Sequence, residues 1–520
     1  MRFLLVLSAC LACLSGLGAA EPVRPNVLLI LADDLGYSDL GCYGGEIATP
    51  NLDGVARAGV RFAQFYNTAR CWPTRASVLT GYYPQQVRRD LVPGVVSGVR
   101  GKRPEWAVLL PDLLRPLGYR SYHSGKWHVD GKPVQTGFDH SYSLDDHDRH
   151  FAPKTQLQDD QPLPAAKDGY YSSTAIADRA IGHLKDHAEK HAGKPFFSFV
   201  AFTAPHFPLQ APAEDVARYE KAYLAGWDKT RAARWDRLAK FDIPGLALSP
   251  PERDLGPPYK FPDALKKLGP NEVALPTAWD DLTAEQRKFQ AAKMAVHAAM
   301  VDRMDREIGR ILAQVKAMKA TDDTLVMFLS DNGASAEIMV RGDGHDPEAA
   351  CGTGATFVCL GPGWSTVANT PFRRHKTWVH EGGISTPFVV SWPNGLPTRG
   401  EFRHTPGHVV DLVPTILEAA GGKPPADRPP LPGRSLVPAF AKDGTVKRDS
   451  LWWQHEGNRA YRVGDWKIVA AGKDAAWELY DLATDRAESK NLAAAHPDRV
   501  KALAAGWQRE HDAIVELARK

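Results

Sequence analysis

At 520 residues the chain can bury a large core, and its length favours two unequal domains. Its 64 Lys and Arg nearly balance 61 Asp and Glu, so no global field draws a polyanion such as nucleic acid, and an anionic substrate has to be recognised locally. Its six cysteines, two of them in the N-terminal leader, are too few for a disulfide scaffold, so stability rests on the core.

In chain order, Met1 and Arg2 precede an apolar run that ends in Gly18, Ala19 and Ala20 before Glu21. This is a secretory signal over 1–20 with a small-residue cleavage site, which places the mature chain in the periplasm or outside the cell. The run is too short and too broken for a membrane anchor. Leu7-Ser8-Ala9-Cys10 also resembles a lipoprotein box, and lipid anchoring at Cys10 is the lesser alternative. No later segment is long and apolar enough to span a bilayer.

The run 27–31 (Val-Leu-Leu-Ile-Leu) predicts a strand buried on both faces of a parallel sheet, and it ends abruptly in Asp33-Asp34. The same pattern recurs where 196–202 leads to Pro205-His206, 324–329 to Asp331-Asn332, and 387–392 to Pro393. Helical patterns lie between. One carries Met300, Met304, Ile308, Ile311 and Val315, with Thr283 and Gln286 at capping-box spacing ahead of it. Strands alternating with helices predict an α/β fold, a large mixed, mostly parallel sheet flanked by helices, with ligands outside the carboxyl ends of the strands. Eight prolines in 244–276 predict a long irregular excursion of the kind that shapes a substrate mouth. Cys351 and Cys359 are near enough in sequence to pair in an oxidising compartment, and two separately buried thiols are the equal alternative. After about residue 446, Trp- and Tyr-rich segments and a final helical stretch predict a smaller antiparallel sheet with a covering helix. The domain reading is 21–445 and 446–520.

The most informative stretch is Cys71-Trp72-Pro73-Thr74-Arg75 through Leu79-Thr80-Gly81. Pro73 suits a first helical turn, which puts Cys71 at a helix N-terminus with Arg75 one turn on, both favouring an anion at residue 71. Taken bare, Cys71 could be a low-pKa redox thiol or a buried cysteine. Asp33, Asp34, Asp331 and Asn332 offer only oxygen donors, which suits a hard cation such as Ca2+ or Mg2+ and argues against zinc. Paired aspartates are otherwise commonly turns or helix caps.

These residues carry a resemblance. The Cys-x-Pro-Thr-Arg stretch with its Leu-Thr-Gly continuation resembles the signature of the formylglycine-dependent sulfatases, arylsulfatase-like members of the alkaline phosphatase superfamily. Arg24-Pro25-Asn26-Val27 through Asp33-Asp34-Leu35-Gly36 looks like that family's opening strand, Gly125-Lys126-Trp127-His128 like its Gly-Lys-Trp-His segment, and Ala204-Pro205-His206 like its Pro-His loop. Ser330-Asp331-Asn332-Gly333, Lys376 through Glu381-Gly382-Gly383, and the C-terminal Trp477-Glu478-Leu479-Tyr480-Asp481-Leu482 with Asn491-Leu492-Ala493 follow in family order. The resemblance spans nearly all of the mature chain.

The resemblance implies that a formylglycine-generating enzyme oxidises Cys71 to an aldehyde that hydrates to a gem-diol. It implies Ca2+ bound by Asp33, Asp34, Asp331, Asn332 and residue 71. Arg75, Lys126 and Lys376 would neutralise the ester's oxygens. One hydroxyl of residue 71 would attack sulfur while His206 with Lys376 assists protonation of the leaving alcohol, and His128 would then take the proton of the second hydroxyl and release sulfate. The substrate would be a sulfated small molecule or sulfated carbohydrate. Trp72, Asp90 and His455-Glu456-Gly457-Asn458 are weaker candidates for touching its organic part. Two other readings are a phosphodiesterase or phosphonate monoester hydrolase of the same superfamily, and an inactive exported calcium-binding relative.

Overall fold

The computed structural model describes residues 24–397 and 399–520; the leader at 1–20 and Cys10 lie outside the described residues. A ten-stranded sheet runs in the order Glu401–Arg403, Val60–Phe62, Phe388–Ser391, Thr324–Ser330, Asn26–Ala32, Phe196–Ala201, Arg120–Gly125, His140–Leu144, Gln156–Gln158, Gln161–Pro162. The five strands from Thr324–Ser330 to His140–Leu144 are mutually parallel.

The apolar runs have a direct cause. Along the central strand Leu28, Ile30 and Ala32 enter one core with Met304 and Ile308 of the helix Ala284–Ala317 and Ile176 and Leu184 of the helix Ser172–Lys190. The alternate residues Val27, Leu29 and Leu31 enter a second core with Val78 and Leu79 of the helix Cys71–Thr80 and Val413 and Ile416 of the helix Leu412–Ala419. A strand buried on both faces has no polar positions to alternate with, and each fully buried Leu or Ile contributes roughly 1.5–3 kcal/mol. The predicted capping box also forms, with Thr283 Oγ1 accepting from Gln286 N at 3.2 Å and Gln286 Oε1 accepting from Thr283 N at 3.0 Å.

One strand departs from the sequence reading. Phe388–Ser391 is antiparallel to Thr324–Ser330, with Phe388 opposite Leu329. Its carboxyl end, with Pro393, therefore points away from the ends that gather the polar pairs. Its amino-terminal lead-in, including Lys376 and the short helix Glu381–Ile384, is what reaches them. An apolar run carries burial but no direction.

The C-terminal sheet has strands Leu451–His455, Asn458–Val463, Trp466–Ala470 and Glu478–Asp481, all antiparallel. Trp452, Ile468 and Leu479 face the helix Pro497–Arg519 through Leu503, Trp507 and Ile514. Leu451, Trp453, Val469 and Tyr480 face Tyr66, Ala69, Val379 and Ile384. Beneath it Glu381 is fully buried, with Lys467 Nζ at 3.0 Å from Oε1 and Arg486, Tyr66 and Ser385 at 3.4, 3.1 and 3.0 Å from Oε2. The excursion 244–276 contains one short helix, Pro262–Leu268. Cys351 and Cys359 are separate free thiols, the second held in an apolar cluster with Phe207, Met339 and Phe357. No helix among the described residues is long and apolar enough to cross a membrane.

Candidate active site

The carboxyl ends of the parallel strands bring the polar pairs together. Asp33 and Asp34 follow the central strand, Asp331 and Asn332 its neighbour Thr324–Ser330, His206 the loop after Phe196–Ala201, and Lys126 and His128 the strand Arg120–Gly125. Asp33, Asp34, Asp331 and Asn332 are all buried. Asp34 and His128 hold left-handed backbone conformations at φ 68° and 56°. Such strain persists where surrounding packing over-determines it, as at functional sites.

Cys71 opens the helix Cys71–Thr80 and is 3% exposed. The helix closes at Gly81, φ 77°, whose N–H donates to Ser77 O; a Cβ there would stand 2.9 Å from Val413 Cβ. This accounts physically for the glycine of the Leu-Thr-Gly segment. Arg75, fully buried, donates through Nε to Asp331 Oδ2 at 2.9 Å and through Nη1 to the Lys126 carbonyl at 2.7 Å. Lys126 Nζ lies 2.5 Å from Asp33 Oδ2. Lys376 Nζ lies 2.8 Å from Asp34 Oδ1 and 3.3 Å from Glu337 Oε2. Its loop fits against the site because Gly333 has no side chain: a Cβ there would fall 1.9 Å from the Gly382 carbonyl oxygen.

Asp33, Asp34 and Asp331 thus face Arg75, Lys126 and Lys376, and their formal charges cancel. Burial alone would raise the Asp33 carboxyl, but Lys126 and then Arg75 outweigh it and hold it below the usual range. Burial raises Asp34, with Asp33 and Glu337 adding to the rise against Lys376. Burial pushes Asp331 up to about 7, helped by Asp33 and opposed by Arg75.

Two buried oxygens in this ring have no hydrogen-bond partner, Asp33 Oδ1 and Asn332 Oδ1. Asn332 Nδ2 donates to Asp34 Oδ1 at 2.7 Å and to the Gly333 carbonyl at 3.0 Å, which assigns the amide and leaves Oδ1 as its open atom. Unsatisfied buried oxygens cost about 1–3 kcal/mol each, more when charged. Oxygen-only donors that repel one another and keep open lone pairs fit a hard divalent cation.

Burial raises the Cys71 thiol, and Lys126 and Lys376, which pull it down, do not overcome that. The low-pKa redox thiol suggested by a helix N-terminus and Arg75 is therefore not what the fold builds: Arg75 is committed to Asp331, and desolvation of residue 71 wins. Burial, followed by Lys126, holds the imidazoles of both His128 and His206 well below the usual range, so both are neutral near pH 7. Burial would strip the proton from Lys376, but Asp34 and Glu337 keep it on.

The weaker candidates gather at the mouth. The Trp72 ring meets His128 and His455 edge-on at 6.1 and 5.7 Å, and His455 Nδ1 faces Asp90 Oδ2 at 2.9 Å. Asn458 Nδ2 donates to the Thr377 carbonyl at 3.1 Å. Glu456 accepts from Tyr259 of the excursion at 2.5 Å, and the Tyr259 ring lies 5.2 Å from the Arg70 guanidinium. The excursion thus reaches Glu456 and Arg70.

Sequence reasoning missed Glu337, Arg70 and His147. Glu337 bridges Lys376 and Arg70 at 3.3 and 3.1 Å, and the His147 ring stands 5.5 Å from that of His128 and 5.0 Å from that of His206. Glu337 lies four residues past Gly333, so following that loop further would have raised it; nothing in the local pattern marks His147.

The Sulfatase family profile matches residues 25–422, and one described as the C-terminal region of N-sulphoglucosamine sulphohydrolase matches 373–508. An uncharacterized sulfatase of Schizosaccharomyces pombe is 32% identical over 547 residues, covering 94% of this chain and 93% of its own. An arylsulfatase of Klebsiella aerogenes is 32% identical over 452 residues, 80% of this chain and 92% of its own. Human N-acetylgalactosamine-6-sulfatase is 26% identical over 509 residues, 92% of this chain and 77% of its own. Among solved structures, Ps i-CgsB in complex with k-i-k-neocarrahexaose superposes with a TM-score of 0.66 at 22% identity, covering 94% of this chain and 93% of that one. BT4656 in complex with its substrate D-glucosamine-2-N,6-O-disulfate does so with a TM-score of 0.61 at 21% identity, covering 95% and 98%.

Proposed function

We propose, because this chain belongs to the sulfatase family, that it hydrolyses sulfate esters R–O–SO3− to an alcohol or phenol plus sulfate, using a nucleophile made from Cys71 by oxidation and a bound Ca2+. The observation that carries the proposal is the position of residue 71: buried at a helix N-terminus, drawn on by Lys126 and Lys376, beside an oxygen cluster with two open atoms. The substrate class is a sulfated carbohydrate or a small sulfated molecule, as the names of its relatives suggest.

Asp33, Asp34, Asp331 and Asn332, with residue 71, would hold the cation, which supplies Lewis-acid charge at the ester's oxygens when bound. The ring of three carboxylates and three cations is neutral without it and carries two positive charges with it, enough to favour an anionic ester. Oxidised and hydrated, residue 71 supplies one hydroxyl to attack sulfur and a second whose deprotonation releases sulfate. Arg75 is locked by Asp331 and the Lys126 carbonyl, so its charge costs no reorganisation when the ester arrives. Lys376, kept protonated, is the proton source for the leaving oxygen, with His206 beside Asp34 at 3.8 Å to relay it. His128, kept neutral and with Nδ1 unpartnered, is the base for the second hydroxyl.

The proposal includes export through the leader, maturation by a formylglycine-generating enzyme, and a catalytic unit over 21–445 with a C-terminal unit over 446–520. It is tested by mass spectrometry of the peptide spanning Cys71 from protein of its native host. Oxidation of the thiol side chain to the aldehyde removes about 18 Da. Fully active protein with an unmodified thiol would overturn the nucleophile, and faster turnover of an aryl phosphodiester than of an aryl sulfate would move the chain to phosphorus chemistry.

A further inference from the structure

His147 has no part in the chemistry above, yet its ring stands 5.0 Å from that of His206, at 82° to it. It lies just past the strand His140–Leu144 and is half-buried. Its Nδ1 faces the Asp145 carbonyl at 3.1 Å. A carbonyl only accepts, so the hydrogen sits on Nδ1 and the lone pair on Nε2. His206 repeats the arrangement, with Nδ1 against the Phe207 carbonyl and Nε2 turned inward, 3.8 Å from Asp34 Oδ2. Metal-ligating histidines are held in this way, the outer N–H pinned by a carbonyl while the other nitrogen is aimed inward.

A carboxylate completes the group. Asp148 Oδ1 is 4.0 Å from His147 Nε2, and ligand atoms of His147, Asp148 and His206 all lie within 4.8 Å of one another. Arg341 grips Asp148 at 2.6 Å on Oδ2 and 2.7 Å on Oδ1, fixing the carboxylate's direction while its remaining lone pairs stay available.

We propose that His147, Asp148 and His206 form a second cation site, specific for a borderline divalent ion such as Zn2+ or Cu2+, and that filling it inhibits hydrolysis. Two imidazoles and one carboxylate select such ions over Ca2+ or Mg2+, which want oxygen alone. Tetrahedral zinc needs its ligand atoms about 3.3 Å apart, so the group has to draw in by roughly 1 Å, which rotation of the half-buried His147 supplies. An ion held there occupies the Nε2 lone pair of His206 and sets a positive charge next to Asp34, so the relay to the leaving oxygen is lost. The inhibitory half rests on the catalytic reading above; the binding half does not.

The test dialyses mature protein against zinc chloride in excess calcium, measures zinc per chain, and follows aryl sulfate turnover in parallel. One zinc per chain is expected at micromolar concentration, with activity falling tenfold or more. His147→Asn and Asp148→Asn are each expected to lose that zinc and to raise the inhibiting concentration at least tenfold, with melting curves reporting that both fold. Zinc retained by both variants overturns the site. Zinc that binds and is lost in the variants, but does not slow turnover, overturns the inhibitory half. If the protein shows no sulfatase activity at all, zinc lost in the variants still supports the site while the catalytic reading falls. Repeating the dialysis in Cys71→Ala decides whether residue 71 is a ligand: zinc unchanged there supports the three residues named, and zinc abolished there overturns them.

Discussion

Two buried ionic clusters sit within one loop of each other, and they differ in one respect. In the ring at the strand ends, Asp33, Asp34 and Asp331 meet Arg75, Lys126 and Lys376, and two oxygens stay open. Under the C-terminal sheet, Glu381 and Glu488 meet Lys467 and Arg486, and all four carboxylate oxygens lie within 3.4 Å of a donor, Lys467 at 3.0 and 2.8 Å, Arg486 at 3.4 Å and the Glu381 N–H at 2.8 Å, although Glu488 Oε1 meets Lys467 as an ion pair without a hydrogen bond. Both clusters are out of water and both are close to charge balance. Burial and charge therefore do not separate a reactive centre from a structural clasp. Cation contact does: Asp33 Oδ1 has neither an ion pair nor a hydrogen bond, while every carboxylate oxygen of the clasp has a donor against it, joining the sheet to the loop that carries Lys376.

Substitutions that act on one cluster and spare the other sharpen this contrast. The largest effect belongs to Cys71→Ala, which should lower kcat relative to the matured protein by about four orders of magnitude or more, as loss of a catalytic nucleophile does elsewhere, with an unchanged melting temperature. A melting transition that moved with activity would place Cys71 among the structural groups. Glu381→Ala should do the reverse. It strands Lys467 and Arg486 without their shared partner, and breaking a buried pair costs about 3–5 kcal/mol, to be read by denaturant unfolding, while the folded fraction keeps turning over.

The same residue gives a pH signature. Burial would raise Glu381, but Lys467 and Arg486 bring it down to about 2 from 4.5. A depressed carboxylate stabilises fully above its unfolded value and loses that contribution as pH falls through the folded one. Stability should therefore decline between pH 4.5 and about 2, and Glu381→Gln, already weakened, should decline less over that window. The smallest effect concerns the rate. His128 acts as a base only when neutral, and burial, then Lys126, keeps its pKa below that of an ordinary histidine. Activity should thus survive through about pH 6.5, with the acid limb of kcat/KM lying below it; an acid limb above that value would remove His128 from the role.

Much of this was legible in the sequence where local pattern and long-range packing agree. The strand 27–31 was readable because both its faces are covered, and the acid pairs were readable as neighbours in space because they end such strands. The direction of Phe388–Ser391 was not, since hydrophobicity is the same read either way. The Glu381 clasp was not, because Lys467 and Arg486 lie 86 and 105 residues downstream. For Cys71 the sequence left a low-pKa thiol and a buried cysteine both open: a helix N-terminus and a nearby arginine are visible in sequence, and the burial that raises the thiol is not.

The burial of residue 71 also sets an order of events in the life of the chain. Of the ten residues in its helix, nine are buried, and Cys71 lies beneath a mouth bordered by a C-terminal hairpin and the 244–276 excursion. Under the proposed maturation by a second enzyme, a side chain this buried is reached most readily before the last seventy residues dock, so folding competes with oxidation for residue 71.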